Sequence, residues 1–396
     1  MMKTMLCIQN VDILTPEPWG KGCVVLREGR IAGLSQRVDP LPEMEVIDGQ
    51  GLTLAPGFID LHVHGGGGYG VMGGSPEEIR RMCAAHARHG TTSILPTTLA
   101  APLPELAKAV DAVRAAQEDC PCCNILGIHL EGPFLSPRQS GAQNPENLLT
   151  YAGHEGEARE LLDRWKGIRM VGAAPELPGG LELGRELARR GIVASAAHTD
   201  ADYDTMQAAL ACGYQDITHL YSGCSTVIRR DGYRIPGVVE AGLELEDYTV
   251  QVIADGKHLP PALLRLIYRC KGASRIELIS DGLEYAAGEL AEGALYRQAN
   301  GMEALYEDGV MKLPDRQAFA GSVATSSRLV RTMRDAGIPL CDGVRMASLT
   351  PAQRLGIGDR KGRIAPGYDG DVILFDQEIS VRLCVTGGRI VRREGL

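Results

Sequence analysis

His62 and His64 stand two residues apart at the end of an apolar run, 57–64. Alternate side chains of an extended strand share a face, so both imidazoles project together and could share a divalent ion. Other polar residues close comparable runs. Glu131 ends one in His129-Leu130-Glu131-Gly132-Pro133, His198 and His219 end two more, and Asp281 ends a fourth. His258 follows Asp255 by three residues, just past another run. Imidazole and carboxylate are the donors that hold zinc, iron, manganese or cobalt, and a metal held with an open position activates water for hydrolysis. A polar residue at one strand end is unremarkable; six such side chains on one rim make metal-assisted hydrolysis the leading expectation.

The elements that must position them alternate in kind. Eight β-branched, apolar runs lie at 57–64, 91–99, 124–131, 168–176, 192–198, 216–221, 248–255 and 275–281, and amphipathic stretches at 76–89, 103–117, 201–212, 261–270 and 322–336 follow several of them. Strand–helix alternation of this kind predicts a parallel sheet with crossover helices. Eight units predict an α/β fold, a closed (β/α)₈ TIM barrel with its active site at the C-terminal strand ends. The chain ends read differently. Short strands with Gly and Pro punctuation before residue 55 and after 371 predict a small β-sandwich domain built from 1–55 and 360–396, flanking a barrel over 56–359. The stretch 281–322 is too long for a plain loop and is expected to form a flap or hairpin over the site.

Other features receive ordinary readings. No GxGxxG or Walker-type loop follows the first strand, so nucleotide binding lacks support. The glycines at 65–68 are read as room for backbone near a site. His86 and His89 are assigned to a helix after the second strand, away from the mouth, His129 to the packed interior and His154 to a surface helix start. A net charge of −9 argues against binding nucleic acid or other polyanions. No run approaches a membrane span, and residues 1–10 do not resemble a signal peptide. Eleven cysteines without a repeated spacing, Cys120, Cys122 and Cys123 among them, are expected to be reduced structural thiols in a cytoplasmic protein.

Several segments together resemble the amidohydrolase superfamily and, within it, the N-acetylglucosamine-6-phosphate deacetylase family. They are Pro56-Gly57-Phe58-Ile59-Asp60, GIHLEGP at 127–133, APE at 174–176, THLY at 218–221, IADG at 253–256 with His258, AGS at 320–322 and GYDGD at 367–371. The resemblance implies one metal on His62, His64 and Glu131, and a second on Glu131, His198 and His219, with Glu131 bridging. Zinc is the first expectation; iron, manganese and cobalt are alternatives. It implies Asp281 as general base and acid, His258 and Arg234 as substrate-binding residues, and a homodimer. Relatives that act on cyclic amides often bridge two metals through a carboxylated lysine on the fourth strand. The run 168–176 contains no lysine, which favours the sugar deacetylases.

Two positions depart from the family pattern. Gln143-Asn144-Pro145 stands where the family has His-Asn-Pro, so Gln143 takes the place of a histidine that polarises the amide carbonyl. Ser222-Gly223-Cys224 replaces Asn-Ala-Met, in a region that grips the sugar and phosphate. The expected reaction is attack of metal-activated hydroxide on the acetamide of N-acetylglucosamine 6-phosphate, giving glucosamine 6-phosphate and acetate. Alternatives are another N-acetyl amino sugar phosphate such as the galactosamine epimer, another N-acyl compound, or a non-catalytic scaffold.

Overall fold

The computed structural model describes residues 5–298 and 301–396; the first four residues of the expected small domain lie outside it. All eight expected barrel strands form. Phe58–Val63 pairs with Thr91–Thr98, and the parallel order continues through Ile128–Glu131, Ile168–Ala173, Val193–Ala196, Tyr214–Ile217, Thr249–Val252 and Ile276–Leu278. The third run is broken, with Asn124–Ile125 pairing separately with the second strand. Gly127 sits at the break with φ 139°, and a Cβ there would fall 2.1 Å from the Gly167 carbonyl oxygen, so only glycine fits.

The ring is nearly closed at its mouth by backbone bonds between its first and last strands. The Asp281 N–H donates to the His62 carbonyl at 2.9 Å, and the His64 and Gly65 N–H groups donate to the Gly282 carbonyl at 2.8 and 2.9 Å. These bonds set Asp281 directly beside the His62–His64 pair. Lower in the ring, Ile59, Leu61, Leu95, Met170, Ile253 and Ile279 pack with Leu355, filling the interior rather than leaving a channel.

The helix Pro76–Ala87 begins at a capping box, in which Ser75 and Glu78 satisfy each other's backbone N–H groups. It follows the first barrel strand, not the second as its histidines were assigned. His86 is fully buried and its Nε2 lies 2.8 Å from the Gly65 carbonyl, clamping the glycine turn behind His64. A Cβ on Gly66 would meet His86 Nε2 at 2.5 Å, and one on Gly65 the Glu284 backbone at 2.5 Å. The room expected at these glycines is required by close packing on both sides.

The two chain ends share one mixed eight-stranded sheet. Val372–Phe375 pairs with Thr53–Pro56, which joins Met5–Leu14 and its neighbours to the C-terminal strands Val381–Thr386 and Arg389–Arg393. Leu6, Val24 and Ile31 share a core with Leu374, Leu383 and Val385. The stretch 281–322 contains the antiparallel strands Leu295–Arg297, Glu303–Glu307 and Val310–Lys312, an elaboration of the expected flap. Among the described residues, no helix is long and apolar enough to cross a membrane.

Candidate metal centre and active site

At the mouth, the ends of the first, third, fifth, sixth and eighth barrel strands deliver one or two side chains each to a common point. His62 Nε2 lies 3.1 Å from His64 Nε2. Glu131, almost fully buried, reaches between four rings: Oε1 is 2.9 Å from His219 Nε2, 3.2 Å from His198 Nε2 and 3.5 Å from His62 Nε2, and Oε2 is 3.4 Å from His64 Nε2. Asp281 Oδ1 stands 3.2 Å from His64 Nε2 and 3.4 Å from His62 Nε2. His198, His219 and Asp281 hold φ of 44°, 29° and 48°, a left-handed conformation that side-chain-bearing residues adopt only when their surroundings impose it. That turn at the strand end swings each side chain over the mouth.

The donors converge as metal ligands do. The groups His62–His64–Glu131 and Glu131–His198–His219 each bring their ligand atoms within 4.8 Å of one another. The far nitrogen of each ring is occupied by an oxygen: Nδ1 of His64 faces the Thr97 carbonyl at 3.2 Å, that of His198 the Gln139 carbonyl at 2.7 Å, that of His219 the Ser222 carbonyl at 2.9 Å, and that of His62 the Gln251 amide at 3.3 Å. A main-chain carbonyl can only accept, so in neutral His64, His198 and His219 the proton sits on Nδ1 and Nε2 presents its lone pair to the centre. Imidazole nitrogens converging beside two carboxylates form a site that needs a cation. The titration pattern shows how strongly the two carboxylates favour positive charge at the centre. Burial alone would depress His62, but Glu131 and then Asp281 outweigh it and hold the imidazole at about 9. Burial would likewise raise Asp281, yet His64 and His62 hold it at about 2. This donor set fits divalent metal.

Gln143 is buried against the same carboxylate. Its Oε1 accepts from the Ala100 N–H at 2.8 Å, which orients the amide so that Nε2 donates to Glu131 Oε2 at 2.6 Å. The amide expected to face substrate thus spends one of its two N–H donors on Glu131. Ser222 and Gly223 line the cleft and also brace the rings. Ser222 supplies the carbonyl for His219, and a Cβ on Gly223, whose φ is 57°, would fall 2.8 Å from His198 Nδ1.

A cleft of about 260 Å³ opens above these groups. His258 lines its rim, with Nδ1 2.9 Å from Asp255 Oδ2 and its ring 4.7 Å from that of Phe319. Gln298, Phe319 and Leu283, all from the 281–322 stretch, and Leu99 also line the walls; sequence reasoning passed over all four. The long 281–322 connection was the signal that could have found the flap residues. Arg234 is not brought to the cleft. It belongs to an exposed hairpin, Ile228–Arg230 with Tyr233–Ile235, and no lysine or arginine lines the cleft among the described residues. Cys120 Sγ lies 3.9 Å from Cys122 Sγ, and all eleven cysteines are free thiols. His129 is packed in the interior as expected, its Nδ1 3.2 Å from the Leu61 carbonyl.

Residues 53–391 match the model of the Amidohydrolase family. The chain is 32% identical to the N-acetylglucosamine-6-phosphate deacetylase of Bacillus subtilis, covering 98% of each protein. It is also 32% identical to the N-acetylgalactosamine-6-phosphate deacetylase of Escherichia coli O157:H7, over 93% of this chain and 95% of that one. The solved N-acetyl-D-glucosamine-6-phosphate deacetylase of Mycobacterium smegmatis, in complex with N-acetyl-D-glucosamine-6-phosphate, superposes with a TM-score of 0.87 at 29% identity, over 98% of this chain and 99% of that one. On the strength of the family match and these full-length relatives, the chain belongs to the amidohydrolase family, among its amino-sugar-phosphate deacetylases.

Proposed function

We propose that the chain hydrolyses the acetamide of N-acetylglucosamine 6-phosphate, releasing acetate and glucosamine 6-phosphate. The observation that carries this reading is the buried cluster of four imidazoles, Glu131 and Asp281 at the floor of a sugar-sized cleft. His62, His64 and Glu131 would hold one divalent ion, and Glu131, His198 and His219 a second; zinc heads the candidates, before iron, manganese and cobalt. When bound, such ions polarise the amide carbonyl and bring a water to a pKa of about 7. Asp281 would accept a proton from the attacking water as the carbon–oxygen bond forms and pass it to the amide nitrogen as the carbon–nitrogen bond breaks, acting first as base and then as acid. The remaining N–H of Gln143 and the His258 imidazole orient the substrate, and the apolar Leu99 and Leu283 walls suit the acetyl methyl.

The phosphate needs a cation that the cleft lining does not supply. Arg234 is the candidate, carried on a hairpin whose Tyr233 is 75% exposed and whose flank shows Val227 and Ile228 to solvent. We infer a homodimer in which this exposed hairpin is covered and Arg234 reaches a phosphate. Arg234→Ala should raise KM about 10- to 100-fold with kcat nearly unchanged, the loss of a charge-assisted bond of about 1.5–3 kcal/mol. Steady-state kinetics checks this, and an unchanged KM removes Arg234 from the site. The eleven free thiols support a reducing compartment, the cytoplasm. We place the domain limits at 1–55 with 360–396 for the terminal β domain and at 56–359 for the barrel.

The galactosamine epimer is the second reading, favoured by Gln143 and Ser222–Gly223–Cys224 at the substrate-facing rim. Acetate release from the two epimeric phosphates and from the unphosphorylated sugar, by zinc-loaded protein, separates them. Turnover of the glucosamine phosphate at least about tenfold above the others supports the first reading, and a reversed order selects the second. Silence on all three discards the sugar.

A further inference from the structure

Beneath the metal cluster the barrel interior holds a second layer of polar side chains. Gln251 on Thr249–Val252 and Asp216 on Tyr214–Ile217 are both fully buried. Gln251 Nε2 donates to Asp216 Oδ2 at 2.7 Å, and Gln251 Oε1 lies 3.3 Å from His62 Nδ1. Asp216 is itself held by two hydroxyls, Ser195 Oγ at 2.6 Å from Oδ2 and Thr249 Oγ1 at 2.9 Å from Oδ1.

This chain has one consistent arrangement of protons. The reversed amide would set two acceptor oxygens 2.7 Å apart, so its NH₂ must face Asp216 and its oxygen His62. His62 Nδ1 then carries the proton and Nε2 is left bare toward the mouth. His64, His198 and His219 obtain the same tautomer from main-chain carbonyls, which cannot turn over. Gln251 is an amide whose two ends differ only in which atom points where, and Asp216 removes that ambiguity.

We propose that Asp216 is a positioning residue which, acting through Gln251, fixes the tautomer of His62 and thereby the metal affinity of the His62–His64–Glu131 site. This rests on the proposed metal ligands and adds to them a support that runs through the barrel interior. Outer partners of metal-bound histidines are worth about 10- to 100-fold in affinity. Asp216→Asn removes the bias, because an Asn amide can present either an oxygen or an NH₂ to Gln251.

The test uses the zinc-loaded full chain, and reads the zinc retained per chain against graded concentrations of a chelator. Asp216→Asn, Gln251→Ala and Gln251→Met should each release one zinc at about 10- to 100-fold weaker chelation than wild type, with the second zinc held as before. Gln251→Met fills the space of glutamine without an amide, so the same loss in that variant separates the hydrogen bond from packing. In the Gln251→Ala background, Asp216→Asn should cost nothing further. Wild-type retention of both zinc ions by any of these folded variants overturns the proposal, as does an equal cost of Asp216→Asn in both backgrounds. Wild-type protein that takes up no zinc overturns the metal-site reading itself, a distinct result.

Discussion

Asp281→Asn should lower kcat by at least about 10³-fold while the protein keeps its full complement of zinc. General acid–base catalysis contributes about 10²–10⁴-fold, and here one carboxylate serves in both proton transfers, so the loss falls in the upper part of that range. The substitution is isosteric, and an Asn oxygen can keep the place that Asp281 Oδ1 holds 3.2 Å from His64 Nε2. The backbone bond from the Asp281 N–H to the His62 carbonyl is untouched. Asn also tolerates the left-handed conformation that this position requires. Five ligand side chains remain, so metal content should not fall. Acetate release and zinc analysis on one preparation check both halves. Activity within about tenfold of wild type shows that another group moves the proton; lost zinc assigns Asp281 to holding metal.

The barrel and the cluster of imidazoles and carboxylates were legible because their signals are periodic and local. His62 and His64 share a face by strand alternation, and the run ending at Glu131 announces its strand through Ile128 and Leu130. Each of the six polar residues expected at the rim is found there. Less legible was whatever depends on contacts distant in sequence. Gln143 could be placed near the substrate, but its bond to Glu131 arises because the loop from 132 folds back past Ala100. Arg234 was assigned by motif alone, and the short hairpin that carries it away from the cleft has three-residue strands without a long alternating pattern. The inner layer was passed over for a different reason. Asp216 and Gln251 are polar residues buried within the barrel strands YQDI and TVQV, and such positions could have marked them. A polar residue facing a barrel interior needs a partner, and neither partner is near in sequence. His86 shows the same limit, since its clamp on Gly65 joins a helix to a turn 21 residues earlier.

Glu131→Gln should have the opposite signature to Asp281→Asn, with both zinc ions lost together and activity falling at least about 10³-fold as a consequence. Glu131 is the one residue common to both ligand groups. Its Oε1 faces His62, His198 and His219, and its Oε2 faces His64 and the Gln143 N–H. Burial would raise its pKa, but the imidazoles, His62 foremost, hold it well below the usual carboxylate range, so a full negative charge is fixed at the centre. Glutamine keeps the size and removes that charge. It also places an NH₂ against either the rings or the Gln143 amide, a donor meeting a donor or displacing a metal. Removing one member of a buried charged set costs about 3–5 kcal/mol, and here the cost falls on the metal-bound state, whose cations would lose their shared counter-ion. Zinc analysis after dialysis, beside thermal unfolding with and without added zinc, reads the outcome. A variant that loses one zinc and keeps the other shows that Glu131 serves a single site. One that keeps both shows that the imidazoles suffice and that the carboxylate does not bridge. Simultaneous loss, set beside the metal-replete but inactive Asp281→Asn protein, would divide the two acidic residues of the cluster into one that holds the metals and one that moves the proton.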